Sequence, residues 1–221
     1  MTVGVRMVML GRQGAGKGTQ CVRLSRHYVV PHISTGDMLR AAVREGTELG
    51  LKASELMAAG NLVPDDLMIG IVDERLCRDD TTERGYILDG FPRTVGQAEA
   101  LAEITAARPL DVVVDLDVAT DVVLERLASR RVCEDCAANY SVDSPPKYGW
   151  VCDNCGGDVV QREDDTPAAI AKRLAAYEAN TAPLIEWYHE RKLMAVVDGD
   201  GTADQVTERL LEAIDDRRRA N

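Results

Sequence analysis

The feature that most constrains this chain of 221 residues is a glycine-rich segment near its start, GRQGAGKGT at residues 11–19. Gly11 and Gly16 bracket four residues and Lys17 follows them, so the segment has the form GxxxxGK. The hydroxyl that usually follows the lysine directly arrives one residue later, at Thr19. Glycines let backbone N–H groups surround an anion, and a helix that begins near the lysine adds the partial positive charge of its N-terminus. The segment therefore predicts a phosphate-binding loop.

The residues around this loop support the same interpretation. An apolar run at residues 3–10 precedes the loop and predicts a buried parallel strand. Strand, loop, lysine and helix then follow in the order that a phosphate-binding loop requires. Because of this order, we favour a phosphate-binding loop over a glycine-rich turn that binds nothing.

The bulk properties of the chain limit its class. Its length is sufficient for one core domain with insertions. The formal net charge of −11 argues against general nucleic-acid binding, which needs an excess of cations on one face. We find neither an apolar stretch long enough to cross a membrane nor a signal-peptide pattern. We therefore expect a cytoplasmic monomer that binds neither membranes nor nucleic acid.

Strand and helix patterns alternate along most of the chain, which predicts an α/β fold with a doubly wound parallel five-stranded sheet. The expected strands are at residues 3–10, 32–33, 86–88, 112–116 and 193–197. The expected helices are at residues 17–28, 37–45, 48–59 (closed by Gly60), 64–78, 95–108, 120–130, 167–191 and 203–218. We expect the 167–191 helix to be interrupted or bent near Pro183 and residues 133–165 to be rich in loops. Ligands should bind beyond the carboxyl ends of the strands.

Four of the six cysteines form two CxxC pairs fifteen residues apart, and this spacing favours a metal site. The four are Cys133, Cys136, Cys152 and Cys155. Four thiolates complete a tetrahedral shell, so the metal should be structural zinc. Redox-active pairs lack a thioredoxin-like context here, and a nucleic-acid-reading zinc ribbon is opposed by the neighbouring acidic residues. Cys21 and Cys77 are expected to be small core residues.

Three further motifs accompany the glycine-rich loop: STGDMLR at residues 34–40, GYILDGFPR at 85–93 and TAPLIEWY at 181–188. Together the four resemble the adenylate kinase family over nearly the whole chain, and the cysteine-containing insertion is similar to the long zinc-bearing lid of a bacterial type. The resemblance implies the P-loop nucleoside-phosphate kinase fold. It also implies a core at residues 1–33, 64–128 and 166–221, a small helical AMP-binding module at 34–63 and a zinc-bearing lid at 129–165.

The family's activity is the reversible transfer of the terminal phosphoryl group of ATP to AMP, giving two ADP, with magnesium bound to ATP. The resemblance implies that the ATP-binding residues are Gly14, Ala15, Gly16, Lys17, Gly18, Thr19, Arg126, Arg130, Asn139, Tyr140 and Gly201. It implies that the AMP-binding residues are Thr35, Arg40, Asn61, Leu62, Val63, Gly90, Phe91, Pro92, Arg93, Gln97, Arg162 and Arg173. We expect Gln97 on an exposed helix turn, where a carboxamide can match the edge of adenine.

The chemistry of such a transfer explains why these candidates are cations. The acceptor phosphate is already ionised near neutral pH, so the reaction needs positioning and charge neutralisation and no general base. Guanidinium groups bind phosphate oxygens in pairs, whereas an arginine outside the motifs is by default a solvated surface charge. The candidate catalytic residues are Lys17, Arg93, Arg130, Arg162 and Arg173.

Three carboxylates also attract attention. Asp89 ends a buried strand, where we expect it to hold the hydration shell of magnesium; the alternatives are a helix cap or a partner for Lys17. Asp164 and Asp165 could take part in lid closure or nucleotide contacts, or only cap the following helix.

The chain departs from the family pattern at three places. Arg12 and Gln13 stand where a small residue and proline are common, and Asn61 stands where lysine is frequent. The segment at residues 199–201 is one residue longer than expected, which weakens the assignment of Gly201. Two alternatives to the leading function remain: a kinase of the same build with another nucleotide preference, such as a GTP-using donor site, and a non-enzymatic zinc-ribbon binding module.

Overall fold

The structure, a computed structural model, describes residues 4–59, 61–162 and 165–220. The expected start of the first strand at residue 3, the helix end at Gly60, and Asp164 lie outside the described residues. In the described part, no helix is long and apolar enough to cross a bilayer.

A five-stranded parallel sheet forms the centre of the molecule. Its strands are β1 (Arg6–Leu10), β2 (His32–Ser34), β3 (Tyr86–Asp89), β4 (Val112–Asp117) and β8 (Met194–Asp198). They lie side by side in the order β2-β3-β1-β4-β8. Successive residues of a strand face opposite sides of a sheet. Accordingly, Met7 and Met9 pack into one buried apolar cluster, and Val8 and Leu10 pack into another. The α/β fold expected from the sequence is confirmed.

Helices cover both faces of this sheet. They are α1 (Lys17–Tyr28), α2 (Thr35–Arg44), α3 (Glu48–Ala58), α4 (Asp65–Leu76), α5 (Asp79–Arg84), α6 (Val95–Ile104), α7 (Thr120–Ser129), α8 (Pro167–Ala176), α9 (Pro183–Glu190) and α10 (Ala203–Ala220). Helices α1 and α10 contribute Leu24 and Leu210 to the cluster on one face. Helices α6 and α9 contribute Leu101 and Leu184 to the cluster on the other.

The ends of α4 and α6 come earlier than expected. The hydroxyl of Thr81 donates to the carbonyl oxygens of Arg78 at 2.6 Å and Leu76 at 3.1 Å, where α4 has ended and α5 begins. Helix α6 ends at Ile104 rather than at Arg108, and beyond it the backbone N–H of Ala106 donates to the carbonyl oxygen of Glu103 at 3.2 Å, three residues back. Local side-chain hydrogen bonds such as those of Thr81 compete with the helical ladder.

The long helix expected at residues 167–191 is interrupted by a π-helical turn at Tyr177–Thr181. The backbone N–H of Ala182 donates to the carbonyl oxygen of Tyr177 at 2.9 Å, five residues back. Pro183 has no N–H to continue the α-helical ladder, and π-turns often occur at functional sites. The interruption at Pro183 is therefore confirmed, and its form is a widened turn.

Residues 130–160 contain a second sheet that the sequence analysis missed. Its strands β5 (Arg130–Cys133), β6 (Asn139–Ser141) and β7 (Val159–Val160) pair antiparallel in the order β6-β5-β7. These strands are two to four residues long. They are too short for an alternation of apolar and polar residues to predict them. The division of the chain into three modules stays a prediction.

Candidate functional site

The glycine-rich loop joins β1 to α1, as expected, and α1 begins at Lys17. Gly14 has a φ of +88°, and a Cβ there would lie 2.9 Å from the carbonyl oxygen of Val123. Gly16 has a φ of +100° and an open position where a Cβ would stand. Positive φ values favour glycine, and the absence of side chains leaves the backbone accessible at the start of α1.

Lys17 is half-buried at the end of this loop. Its ammonium donates to the carbonyl oxygens of Gly11 at 2.7 Å and Arg12 at 2.9 Å. Burial lowers the pKa of Lys17, and the nearby carboxylate of Asp89 counteracts part of that shift. An ammonium that donates to neutral carbonyl groups can exchange them for phosphate oxygens, which are stronger acceptors.

A large cleft of about 380 Å³ opens in front of the loop. We call it the large cleft and define it by the loop, the ends of β2 and β3, and the start of the small sheet. The candidate residues that line it are Gly14, Gly16, Lys17, Gly18, Thr19, Arg40, Asp89, Gly90, Pro92, Arg93, Arg126, Arg130, Asn139, Tyr140, Arg162 and Arg173. The structure thus brings most of the sequence candidates to one surface.

A second, narrower cavity of about 80 Å³ adjoins the large cleft, and we call it the small cavity. The candidate residues that line it are Thr35, Arg40, Asn61, Leu62, Val63, Gly90, Arg93, Gln97 and Arg173. Leu39, Met57 and Met68 add apolar surface to its wall. Arg40, Arg93 and Arg173 line both spaces, so the two spaces meet at three guanidinium groups.

Gln97 is buried, contrary to the expectation of an exposed helix turn. Its amide nitrogen donates to Asp65 Oδ1 at 2.7 Å, and its amide oxygen accepts from the backbone N–H of Arg93 at 2.8 Å. The hydroxyl of Thr94 donates to the other oxygen of Asp65 at 2.6 Å. These bonds fix both the position and the orientation of the carboxamide.

A buried carboxylate organises two of the candidate arginines. Asp165 accepts from Arg130 Nε at 2.8 Å and from Arg173 Nη1 at 3.3 Å, and its side chain is 0% exposed. Thr166, not Asp165, caps α8. Of the roles expected for Asp165, the cap is therefore wrong. The carboxylate instead connects an arginine of the small sheet to an arginine of α8.

The remaining arginines also have partners near the loops. Arg40 is paired with Asp37; burial raises the pKa of that carboxyl, but the guanidinium outweighs it and the net shift is downward. Arg93 Nε donates to the carbonyl oxygen of Gly90 at 2.8 Å. The guanidinium of Arg126 donates to the carbonyl oxygen of Ala15 at 3.2 Å and to that of Gly199 at 3.3 Å.

Asp89 lies at the carboxyl end of β3 on the wall of the large cleft. Its Oδ2 is 3.5 Å from His32 Nε2. Burial opposes ionisation of Asp89, but His32 and then Lys17 outweigh it, so the pKa of Asp89 is lowered. The carboxylate is therefore charged at the cleft. The helix that follows Asp89, α6, is capped by the side chain of Thr94, so the alternative of a helix cap is wrong for that helix.

Three candidates line neither space. Ala15 and Phe91 are buried in the core, and Gly201 lies beside Gln205 and Arg209. Ala15 can still contribute through its backbone, because it belongs to the loop. The hydroxyl of Tyr140 accepts from the backbone N–H of Asp153 at 2.9 Å, so its polar end points towards the second CxxC pair.

The four paired cysteines come together at the small sheet, and we call them the cysteine cluster. Cys133 and Cys155 have their sulfurs 3.5 Å apart, as do Cys136 and Cys152, and the four sulfur atoms all lie within 4.8 Å of one another. Zn–S bonds of about 2.3 Å in a tetrahedron would place sulfurs roughly 3.8 Å apart. The cluster could therefore hold a metal ion.

The two other cysteines differ from one another. Cys21 is buried in the core, as expected, but Cys77 is exposed, so the expectation of a core position for Cys77 is wrong. Cys77 follows directly after the end of α4, where the chain turns towards α5.

Sequence analysis missed several residues at the site. Tyr177 and Thr181, at the two ends of the π-helical turn, line both spaces, and Thr181 donates through its hydroxyl to the carbonyl oxygen of Arg93 at 3.0 Å. Thr181 opens the TAPLIEWY motif, so the motif itself was a signal for it. His32 and Asp65 act through other side chains, and no local pattern marks such residues.

Comparison with known proteins agrees with this geometry. The family model described as adenylate kinase matches residues 9–193. An adenylate kinase of Moorella thermoacetica is 50% identical over 198 residues, which cover 88% of this chain and 91% of the relative. One of Citrifermentans bemidjiense is 49% identical over 95% of this chain and 99% of the relative. One of Geobacillus sp. (strain WCH70) is 47% identical over 91% and 94%. The chain belongs to the adenylate kinase family.

Proposed function

We propose that this chain catalyses the reversible transfer of the terminal phosphoryl group of ATP to AMP, giving two ADP. The observation that carries this function is the junction between the large cleft and the small cavity at Arg40, Arg93 and Arg173. A phosphate-binding loop forms one side of this junction, and a cavity with mixed polar and apolar walls and a fixed carboxamide forms the other. Two nucleotides bound there would direct their phosphates at the same guanidinium groups.

On the donor side, the loop backbone and the N-terminus of α1 bind the phosphates of ATP. Lys17 leaves its two carbonyl partners and reaches the outer phosphates, while Arg126 and Arg130 approach from the other wall. Asn139 and Tyr140 cover the base from the small sheet. Arg126 donates to the carbonyl oxygen of Gly199. The backbone of Gly201, two residues further on, approaches the base.

On the acceptor side, Thr35, Gln97 and the backbone of residues 61–63 hold the base of AMP, with Leu39 and Met57 as apolar walls. Arg40, Arg93, Arg162 and Arg173 hold its phosphate and the group in transfer. The acceptor oxygen needs no base, because the phosphate is already ionised. These side chains align the two nucleotides, neutralise charge and exclude water.

Asp165 has a distinct part in this proposal. In the structure its carboxylate pairs with Arg130 and Arg173. Each guanidinium has five N–H donors, so when a nucleotide binds it can donate to phosphate oxygens and still donate to Asp165. The carboxylate therefore orients the two arginines from behind.

Magnesium fits the oxygen donors at the large cleft, because Thr19 and Asp89 both line it and offer hard ligands. Bound with ATP, the ion neutralises charge on the phosphates. Asp89, charged at the cleft wall, would hold its hydration shell. Zinc fits the sulfur spacing of the cysteine cluster. With four thiolate ligands and no open position, it would hold residues 129–165 together, as in the long-lid type.

Initial rates with purified protein test the proposed reaction. We expect ATP with AMP to give far higher kcat/KM than ATP with CMP, UMP or GMP, and ATP to exceed GTP as donor. A preference for GTP as donor would instead favour the related kinase considered above. Absence of transfer with every pair would contradict an enzymatic function. The monomeric state and the cytoplasmic location stay predictions.

The fixed carboxamide leads to a prediction about Asp65. Asp65→Asn removes the charged acceptor that orients Gln97, so we expect KM for AMP to rise about tenfold, the effect of about 1.4 kcal/mol. We expect KM for ATP to stay close to the parent value. The exposed neighbour Asp66 offers a matched control, since Asp66→Asn should change neither constant. An unchanged KM for AMP in Asp65→Asn would show that the carboxamide needs no such support.

We also propose that residues 34–63 and 129–165 move against the core when both nucleotides bind, so that water is excluded only when the acceptor is present. A bisubstrate mimic that spans both nucleotides should therefore compact the protein in small-angle scattering. The control is a mononucleotide, which should compact it less. Identical scattering curves with and without a saturating mimic would argue against this movement.

A further inference from the structure

A second group of metal-binding side chains lies beside the phosphate-binding loop, away from the cysteine cluster. Cys21 on α1, His32 on β2 and Asp89 on β3 each present one potential ligand atom, and the three atoms lie within 4.8 Å of one another. One soft sulfur, one imidazole nitrogen and one carboxylate oxygen form a ligand set typical of zinc and related cations.

The geometry of this group is close to that of a metal site. Bonds of about 2.0–2.3 Å in a tetrahedron place the ligand atoms roughly 3.3–3.8 Å apart. His32 Nε2 and Asp89 Oδ2 are 3.5 Å apart, which is within that range. A side-chain movement of about 1 Å or less would bring the sulfur of Cys21 to the same spacing.

His32 supplies an independent observation. Its Nε2 is fully buried, yet among the residues that the structure describes it makes no hydrogen bond. Buried polar atoms normally have a partner, and an exception suggests an absent ion or water. An ordinary His–Asp ion pair would place a hydrogen bond on this nitrogen. A cation bound between His32 and Asp89 would give the Nε2 of His32 a partner.

We propose that Cys21, His32 and Asp89 bind a thiophilic divalent cation, such as Zn²⁺ or Cd²⁺, and that this binding inhibits the enzyme. A thiolate and a carboxylate carry two negative charges, which balance a divalent cation beside Lys17 and Arg93. Asp89 lines the large cleft, which gives the cation a route inward. The inhibitory part rests on the proposed role of Asp89, because a carboxylate bound to such a cation no longer holds the hydration shell of magnesium.

Cadmium binding to the full chain tests the site without reference to activity. At saturation, we expect two cadmium ions per parent chain, one in the cysteine cluster and one at the new site. Cys21→Ala should bind one, and His32→Gln should bind the second at least about tenfold more weakly, since even the loss of a supporting partner of a ligand costs that much. Metal content by mass spectrometry and the ultraviolet charge-transfer band of cadmium thiolates report the stoichiometry.

Activity then gives a separate readout. Cys21 touches no substrate in the proposed mechanism, so Cys21→Ala should keep the parent's basal rate and its melting curve. Added cadmium should inhibit the parent reversibly, with recovery on chelation, and should inhibit Cys21→Ala at least about tenfold less. If Cys21→Ala folds poorly, Cys21→Ser serves the same comparison, because it keeps the size and polarity of the side chain and removes the soft sulfur ligand. One cadmium ion per parent chain would overturn the site, and equal inhibition of parent and variants would overturn its effect on the enzyme.

Discussion

Replacement of Lys17 by Met should lower the rate of phosphoryl transfer by about 10²- to 10³-fold, the usual effect of removing one preorganised donor from developing charge. Methionine has a similar length and fills the same space without a positive charge. The two carbonyl groups that now accept from the ammonium, those of Gly11 and Arg12, lose one partner each. They line or adjoin the large cleft, where water can replace the lysine. The fold should therefore persist.

The measurement is kcat with saturating ATP and AMP, together with a thermal melt. Lys52 offers a matched control, because it lies on α3 with its side chain 65% exposed and pairs with Glu48 on the same helix. Lys52→Met should leave kcat within a factor of two. If Lys17→Met also retained activity within a few-fold of the parent, the loop would not bind the transferred phosphate as proposed.

Loss of one cysteine ligand should produce the second large effect. Cys152→Ser removes one of four thiolates, and we expect the metal content to fall from one zinc per chain towards zero. Among the residues that the structure describes, the apolar cluster at the small sheet has three buried members, Cys133, Cys152 and Val159. So small a core cannot keep the segment folded, and metal binding must supply the missing free energy. A loss of about 3 kcal/mol would lower the melting temperature by roughly 6–12 °C in a chain of this size.

Cys77→Ser is the control for this change, since Cys77 is exposed and follows the end of α4, far along the chain from the cysteine cluster. It should bind zinc and melt like the parent. Chelation of the parent should reproduce the melting curve of Cys152→Ser. Activity at moderate temperature should persist at a reduced level, because the central sheet does not include these thiolates. A metal-free parent that melts at the same temperature with and without zinc would contradict a structural role.

Much of the fold was predictable because its signals are local. The glycine-rich loop needs particular residues at fixed spacing, and β1 and α1 flank it as its apolar and helical patterns indicate. The alternation of strands and helices fixed the parallel sheet, since right-handed crossovers leave few other arrangements. Helix ends were less predictable. Where α4 ends, the hydroxyl of Thr81 bonds to the carbonyl oxygens of Leu76 and Arg78, and a periodic pattern does not indicate such a bond.

The candidate site shows the same division. Arg40 and Arg93 could be identified because they lie in two of the family motifs, and the other arginines because the family resemblance extends over nearly the whole chain. The two CxxC pairs could be identified because cysteine spacing is itself the signal. The buried position of Gln97 and its bond to Asp65, 32 residues away, could not. Neither could the pairing of Asp165 with Arg130, 35 residues away. A side chain that orients another across such a separation leaves no periodicity in the sequence.

By itself, then, the sequence determined which side chains supply the positive charges and the thiolates of the candidate sites. The glycine-rich loop and the CxxC pairs can be recognised because each depends on residues close together in the chain. The tertiary structure decided how they are held. Only the folded chain brings the ligand atoms of Cys21, His32 and Asp89 from three separate elements to within 4.8 Å of one another. Only the folded chain places the buried Asp165 between Arg130 of the small sheet and Arg173 of α8. The physical reason is that burial and orientation depend on contacts between distant segments, which exist only once the chain has folded.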